Sequence, residues 1–283
     1  MWLDTKSFQP QIGDIVAIEL RNGQNFKGIN LSYFKNRIEH FFWEQNGKSS
    51  DVNSRSGDVP AMKAPALENG LMVVVYQSSS STLSYKDWEK FDEFIQHKNL
   101  GLIEQAHESR RLPKTNFKES YKRFSKALIG IGHGQGQDRS FGLETEFIVL
   151  NNPYHEDTSN GIEVLLLYQQ KPRINAQIEV FQRSTSGEVL VSYLQTNAQG
   201  KAIIDVLPGH DYLLDAVVLR APEGGSNKKM TLFGKAFGPP QPFRCPKNEC
   251  EFTKNDLHWQ CALGYNRQNK WRTFKGVGCT RAN

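Results

Sequence analysis

Residues 161–220 carry the pattern Gly161-Ile-Glu-Val164, Pro172-Arg-Ile-Asn-Ala176-Gln-Ile-Glu-Val180, Thr196-Asn-Ala-Gln-Gly200 and Leu207-Pro-Gly209-His-Asp-Tyr212. Apolar, β-branched runs at 162–167, 177–182, 189–194, 202–206 and 212–219 are separated by turn residues roughly every eight to twelve positions, which predicts a small antiparallel sandwich. Gly200 is suited to the positive φ of a hairpin, and Gly209 to a turn that lets Tyr212 pack inward.

Upstream the reading is β, then helical, then β again. Ile15-Val16-Ala17-Ile18-Glu19-Leu20 predicts a buried strand entering an Asn22-Gly23 turn, and Leu71 to Tyr76 predicts a second, preceded by Asn69-Gly70. The stretch 44–60 between them, rich in Ser, Asn, Gly and Asp, reads as a loop or a pair of short edge strands. From Ser84, with Asp87 as a capping partner, Trp88, Phe91 and Ile95 fall at helical spacing up to Gly101. Phe117, Tyr121, Phe124 and Leu128 repeat that spacing and predict another helix from about Thr115 to Gly130; residues 102–111 form a candidate third. Trp88, Phe91, Phe117, Tyr121 and Phe124 are read as core, and Leu143 to Leu150 returns to strand.

With 283 residues, 38% hydrophobic and 23% charged, the chain has room for two modest domains, and disorder is not expected for most of it. No apolar run approaches the roughly 20 residues of a membrane helix. Of the 35 Lys+Arg and 30 Asp+Glu, residues 231–283 hold nine and three, leaving 26 basic against 27 acidic residues before them. All four cysteines, Cys245, Cys250, Cys261 and Cys279, also lie after residue 230. The basic excess therefore does not describe the body of the protein, and no nucleic-acid partner is expected there.

Trp2-Leu3, Phe26-Lys27-Gly28, Gly70 to Ser78, Phe91 to Phe94, Glu119 to Leu128, Leu143-Glu-Thr-Glu146 and Asn152-Pro153-Tyr154 occur in this order. Together with the 161–220 grammar, which is similar to immunoglobulin- and transthyretin-like modules, the set resembles an uncharacterised bacterial family. That family is described as a periplasmic, cobalt- or nickel-transport-associated component of an ABC uptake system. The resemblance covers roughly residues 2–220. It implies an exported, non-enzymatic binding or accessory protein, with Ni²⁺ or Co²⁺ as the bound metal and a membrane transporter component as partner. The competing expectation is a structural or adhesion module that binds a protein or glycan through a sandwich edge.

The chain departs from that family at both ends. Members carry a His just upstream of the Trp-Leu pair after a cleaved secretory signal; here Met1-Trp2-Leu3 has neither, so the reading expects a misplaced or trimmed start. Members close with a strand close to Trp-Glu-Ser-Leu-Trp-Ala-Ser. Back-translation of Phe233 to Pro240, regrouped by one frame, permits that strand, so a frameshift between about Gly224 and Met230 is expected, making 231–283 non-native or disordered.

The expected organisation is mainly β. An N-terminal β domain with two or three helices spans 1–137, an antiparallel Ig/transthyretin-like sandwich spans 138–230, and the altered tail spans 231–283. Candidate metal ligands are His155, Glu156 and Asp157, consecutive after Pro153-Tyr154, together with His133 in the Gly130–Gly136 loop. The bland alternatives are an acidic surface loop and a flexible connector. That Gly-rich loop follows a predicted helix and opens none, which argues against a nucleotide site. Cys245, Cys250, His258 and Cys261 offer a loose zinc-knuckle spacing or disulfides, on the segment expected to be non-native. No G-x-S-x-G, H-E-x-x-H or Walker motif occurs, so no enzyme is expected.

Overall fold

In chain order the strands are β1 (Trp2–Asp4), β2 (Ile15–Gln24), β3 (Lys27–Leu31), β4 (Ile38–Gln45), β5 (Lys48–Asp51), β6 (Met62–Pro65), β7 (Gly70–Ser78) and β8 (Ser81–Tyr85). Helices α1 (Glu89–His97) and α2 (Ile103–Ser109) follow. Then come β9 (Phe117–Tyr121), β10 (Phe124–Ile131), β11 (Thr145–Val149), β12 (Ile162–Tyr168), β13 (Lys171–Pro172), β14 (Gln177–Arg183), β15 (Val189–Gln195), β16 (Lys201–Ile204) and β17 (Asp211–Asp215). This is a computed structural model, and it describes residues 1–221. The expected non-native tail, its cysteines and its closing strand lie outside the described residues.

All strand pairs are antiparallel, and the protein is mainly β. β2 pairs with β1, β3 and β6; β7 lies between β10 and β4, with β5 outside β4; β8 and β9 form a separate ribbon. The sandwich consists of one sheet with β12 pairing β11, β13 and β16, and a second in the order β15-β14-β17. Ile162, Val164 and Leu166 of the first sheet share a core with Ile178, Val180, Tyr212 and Leu214 of the second. That core is continuous with Leu3, Ile18, Met72 and Leu128 of the earlier strands.

Gly200 and Gly209 both have φ +74°, as expected for their turns, and Tyr212 is buried, its hydroxyl accepting the Leu207 N–H at 2.7 Å. The run expected as strand to Leu219 leaves the ladder after Asp215. Beyond it, the Val217 carbonyl accepts from the Arg173 guanidinium at 2.7 Å.

Three local expectations are corrected. The Thr115–Gly130 helix is the two strands β9 and β10. Phe117, Glu119 and Tyr121 alternate on β9, and β10 is buried along its whole length against β7. The turn expected at Asn22-Gly23 sits later, at Asn25-Phe26, where both residues have positive φ (52° and 56°) and Gln24 pairs with Lys27. Phe26 is anchored in that conformation between Trp2, edge-on at 6.1 Å, and the Arg183 guanidinium at 4.3 Å. No capping box forms either. Ser84 belongs to β8, and α1 starts after Trp88 without a side-chain cap.

The helical segment has its own small core. Phe91, Ile95 and Phe117 are buried together, with Tyr85 and Trp88 packed against them.

Lys126 of β10 is buried and reaches Asp138 at 2.8 Å and Glu146 at 3.4 Å, both buried as well. Glu146 also accepts the N–H groups of Phe141 and Leu143, so an ammonium and two carboxylates fix the 138–146 connection to β10. Asn152 donates to the carbonyls of Gly134 and Gly136, each at 2.7 Å. The Tyr154 hydroxyl donates to the Leu128 carbonyl at 2.6 Å, with its ring against Gly130, where a Cβ would lie 2.6 Å from Tyr154 Cγ. These contacts give Glu146, Asn152 and Tyr154 a structural purpose.

Candidate functional site

Strands β14 and β17 place Glu179 directly opposite Asp215 and Phe181 opposite Leu213. Strand alternation turns these four away from the face that carries Ile178, Val180, Tyr212 and Leu214 into the core. Two carboxylates facing each other across a ladder repel. The structure answers this with Lys98, the residue that ends α1. Its ammonium donates to Asp215 Oδ2 at 2.7 Å and also to Glu179 Oε2. A cation there also suits the negative end of the helix.

Glu179 is almost wholly buried and gathers further partners. His97 Nε2 lies 3.0 Å from Glu179 Oε1, and the Tyr193 hydroxyl of β15 donates to the same oxygen at 3.3 Å. The Gln177 amide donates to the His97 carbonyl at 2.8 Å, tying the helix end to the sheet. Burial opposes charge on Lys98, but Asp215 and Glu179 outweigh it and hold the ammonium above its usual range.

A cavity of ≈ 270 Å³ lies on one side of Lys98, walled by Trp2, Phe94 and Phe181 and bordered by the β2–β3 turn. On the other side is one of ≈ 290 Å³, reaching Tyr85, Glu119 and Arg123. Met1, Phe94, Lys98 and Asp215 line both, so the two cavities adjoin across these side chains, and together they are the cleft at Lys98. At the far end Glu119 is 1% exposed and accepts from the Tyr85 hydroxyl at 2.9 Å. Burial pushes its carboxyl up to about 7, against the lowering effects of Tyr85 and Arg123. Burial likewise lifts the Tyr85 phenol. A larger, open hollow of ≈ 730 Å³ lies along β2, but Arg183 and Asp4, and Arg21 and Glu19, are paired there at 3.3 Å each.

The residues proposed from sequence lie elsewhere. His133 is exposed, with its backbone N–H on Asn69 Oδ1 at 3.2 Å. His155 is exposed and touches the Gln135 amide at 3.4 Å, so the two His-bearing loops are neighbours. Glu156 is half-buried, its N–H on the Asn152 carbonyl. Asp157 is exposed and its carboxylate accepts the Ser159 N–H at 2.8 Å and the Ser159 hydroxyl at 2.9 Å. Among the described residues, no group of three or more His, Cys, Asp or Glu stands ready to hold a metal.

His97, Lys98, Glu179 and Asp215 drew no notice as a site in the sequence, because 81 residues separate Lys98 from Glu179 and 117 separate it from Asp215. A signal was nevertheless present: both strands carry an acid two positions from a large apolar residue, Glu179 before Phe181 and Asp215 after Leu213.

Among known proteins, the family model described as "Domain of unknown function (DUF4198)" matches residues 1–220. No curated protein and no solved structure matches the chain. Since the match takes in the β2–β3 turn, α1, β14 and β17, the whole described cleft falls within it, and the chain belongs to the DUF4198 family.

Proposed function

We propose that the protein is an exported, non-enzymatic binding component that accompanies nickel or cobalt uptake and holds its cargo cation in the cleft at Lys98. The observation that carries this reading is the pair Glu179 and Asp215. Two carboxylates stand opposite each other with one ammonium between them and an imidazole at 3.0 Å. Around Lys98 those two acids exceed its single charge, while Arg123 stands at the far end of the cleft beside Glu119.

Carboxylate oxygens and an imidazole nitrogen are donors that suit Ni²⁺ and Co²⁺, but with Lys98 on both carboxylates they are not a ready metal site, so a donor set assembles only once the ammonium leaves. Cargo enters by displacing Lys98, whose long side chain can swing away. The returning ammonium then competes with bound metal and helps its transfer to a membrane partner.

Calorimetric titration of the full chain with NiCl₂ and CoCl₂ tests this reading. We expect saturable heat at micromolar metal, its loss in Glu179→Gln and tighter binding in Lys98→Met. Absence of saturable heat overturns the proposal in favour of a module that binds a protein or glycan.

A further inference from the structure

We infer that β15 is the contact between two copies of this chain, which pair edge to edge about a two-fold axis at Ser192. An open strand edge invites pairing with another chain, and proteins commonly block such edges with charge or proline. Most edges of this fold are blocked: Lys27 lies on β3, Lys48 and Asp51 on β5, Lys63 on β6, Lys201 on β16 and Asp211 on β17. β15 reads Val189-Leu190-Val191-Ser192-Tyr193-Leu194-Gln195, with neither charge nor proline. β8 also lacks charge, but it is shorter, Ser- and Thr-rich, and has Leu83 as its one large aliphatic residue.

Among the described residues, β15 pairs only with β14. It leaves Leu190 60%, Val191 38% and Tyr193 51% exposed.

The ladder fixes which backbone groups are free. The Ser184 N–H bonds the Glu188 carbonyl and the Thr196 N–H bonds the Ala176 carbonyl. Antiparallel alternation therefore turns Leu190, Ser192 and Leu194 toward β14. The N–H and C=O groups of Val189, Val191, Tyr193 and Gln195 point to the open side.

A two-fold axis at Ser192 sets Val189 of one copy opposite Gln195 of the other, and Val191 opposite Tyr193. Every outward backbone group then meets its complement along the whole strand. The side chains agree: a β-branched residue faces an aromatic one, Leu190 faces Leu194, and small Ser192 meets itself. Because the strand is uncharged, self-pairing sets no like charges opposite each other. A second copy therefore matches this edge over its full seven residues, with the outward backbone groups in register and no like charges opposed.

The register makes a specific test. Ser192 is exposed, so Ser192→Lys and Ser192→Glu leave the core intact, but each places two like charges across the axis. Sedimentation velocity on the full chain over about 1 to 100 µM should show a dimer for the wild type and a dissociation constant raised about tenfold or more for each variant. An equimolar mixture of the two variants should restore association, because opposite charges then meet at the axis. A wild type that stays monomeric across this range overturns the inference, whatever else covers β15. So does a dimer indifferent to both substitutions. If either variant fails to fold by circular dichroism, the wild-type measurement and Val191→Lys, which places a charge on the same edge, decide the question.

Discussion

Glu119→Gln should make the protein more stable at mildly alkaline pH, although it removes a charge from the cleft. Glu119 is 1% exposed, and its direct hydrogen bond comes from the neutral Tyr85 hydroxyl at 2.9 Å. Burial raises its carboxyl from an ordinary 4.5 to about 7. The folded state therefore binds more protons than the unfolded chain between those values. The stability contributed by this group is complete below 4.5 and is lost as pH rises through 7. At about 1.36 kcal/mol for each pH unit, the interval amounts to about 3 kcal/mol. Gln keeps an acceptor for Tyr85 but has no charge to desolvate, so the variant lacks this slope. Urea unfolding of both proteins at several pH values from about 5 to 8 reads the difference directly. The variant should gain on the wild type as pH rises, approaching about 3 kcal/mol at about pH 8. Parallel pH profiles, or a variant less stable at the alkaline end, would refute the argument and show Glu119 to be a well-paired carboxylate.

Lys98→Met should lose about 3 kcal/mol by stranding Glu179 against Asp215, and adding Glu179→Gln should recover much of it; a double-mutant cycle by chemical denaturation measures the coupling. Because Lys98 is held above 10.5, its contribution persists through neutral pH and is lost only as pH climbs past that value, which wild-type unfolding at alkaline pH checks. Gly130→Ala should lower the melting temperature, at about 1–3 kcal/mol, because the new methyl meets a Tyr154 ring anchored on the Leu128 carbonyl.

The sandwich was legible in the sequence because its short apolar runs recur at regular intervals between turn residues and its turn glycines sit where positive φ is needed. The region 115–131 was not. On β9 the inward position between Phe117 and Tyr121 is held by Glu119, so a buried acid hides the two-residue period. On β10 the buried Ser125 and Lys126 break what would otherwise be one apolar run, and the remaining large residues imitate helical spacing. The Asn22-Gly23 turn was displaced for a related reason: Phe26 is fixed by Trp2 and Arg183, which are distant in the sequence. The cleft was invisible for the same cause on a larger scale. An acid on β14, an acid on β17 and a lysine at the end of α1 acquire meaning only when the topology brings them together.

The buried lysine of β10 also constrains the order of events during synthesis. Lys126 leaves the ribosome before either of its counter-anions, and Glu146 follows it by 20 residues. Until that segment emerges, closing β10 onto β7 would seal an ammonium into an apolar interior with nothing to neutralise it. The early strands must therefore wait for the first turn of the second half, and a nascent chain halted near residue 137 should remain open to proteases and chaperones.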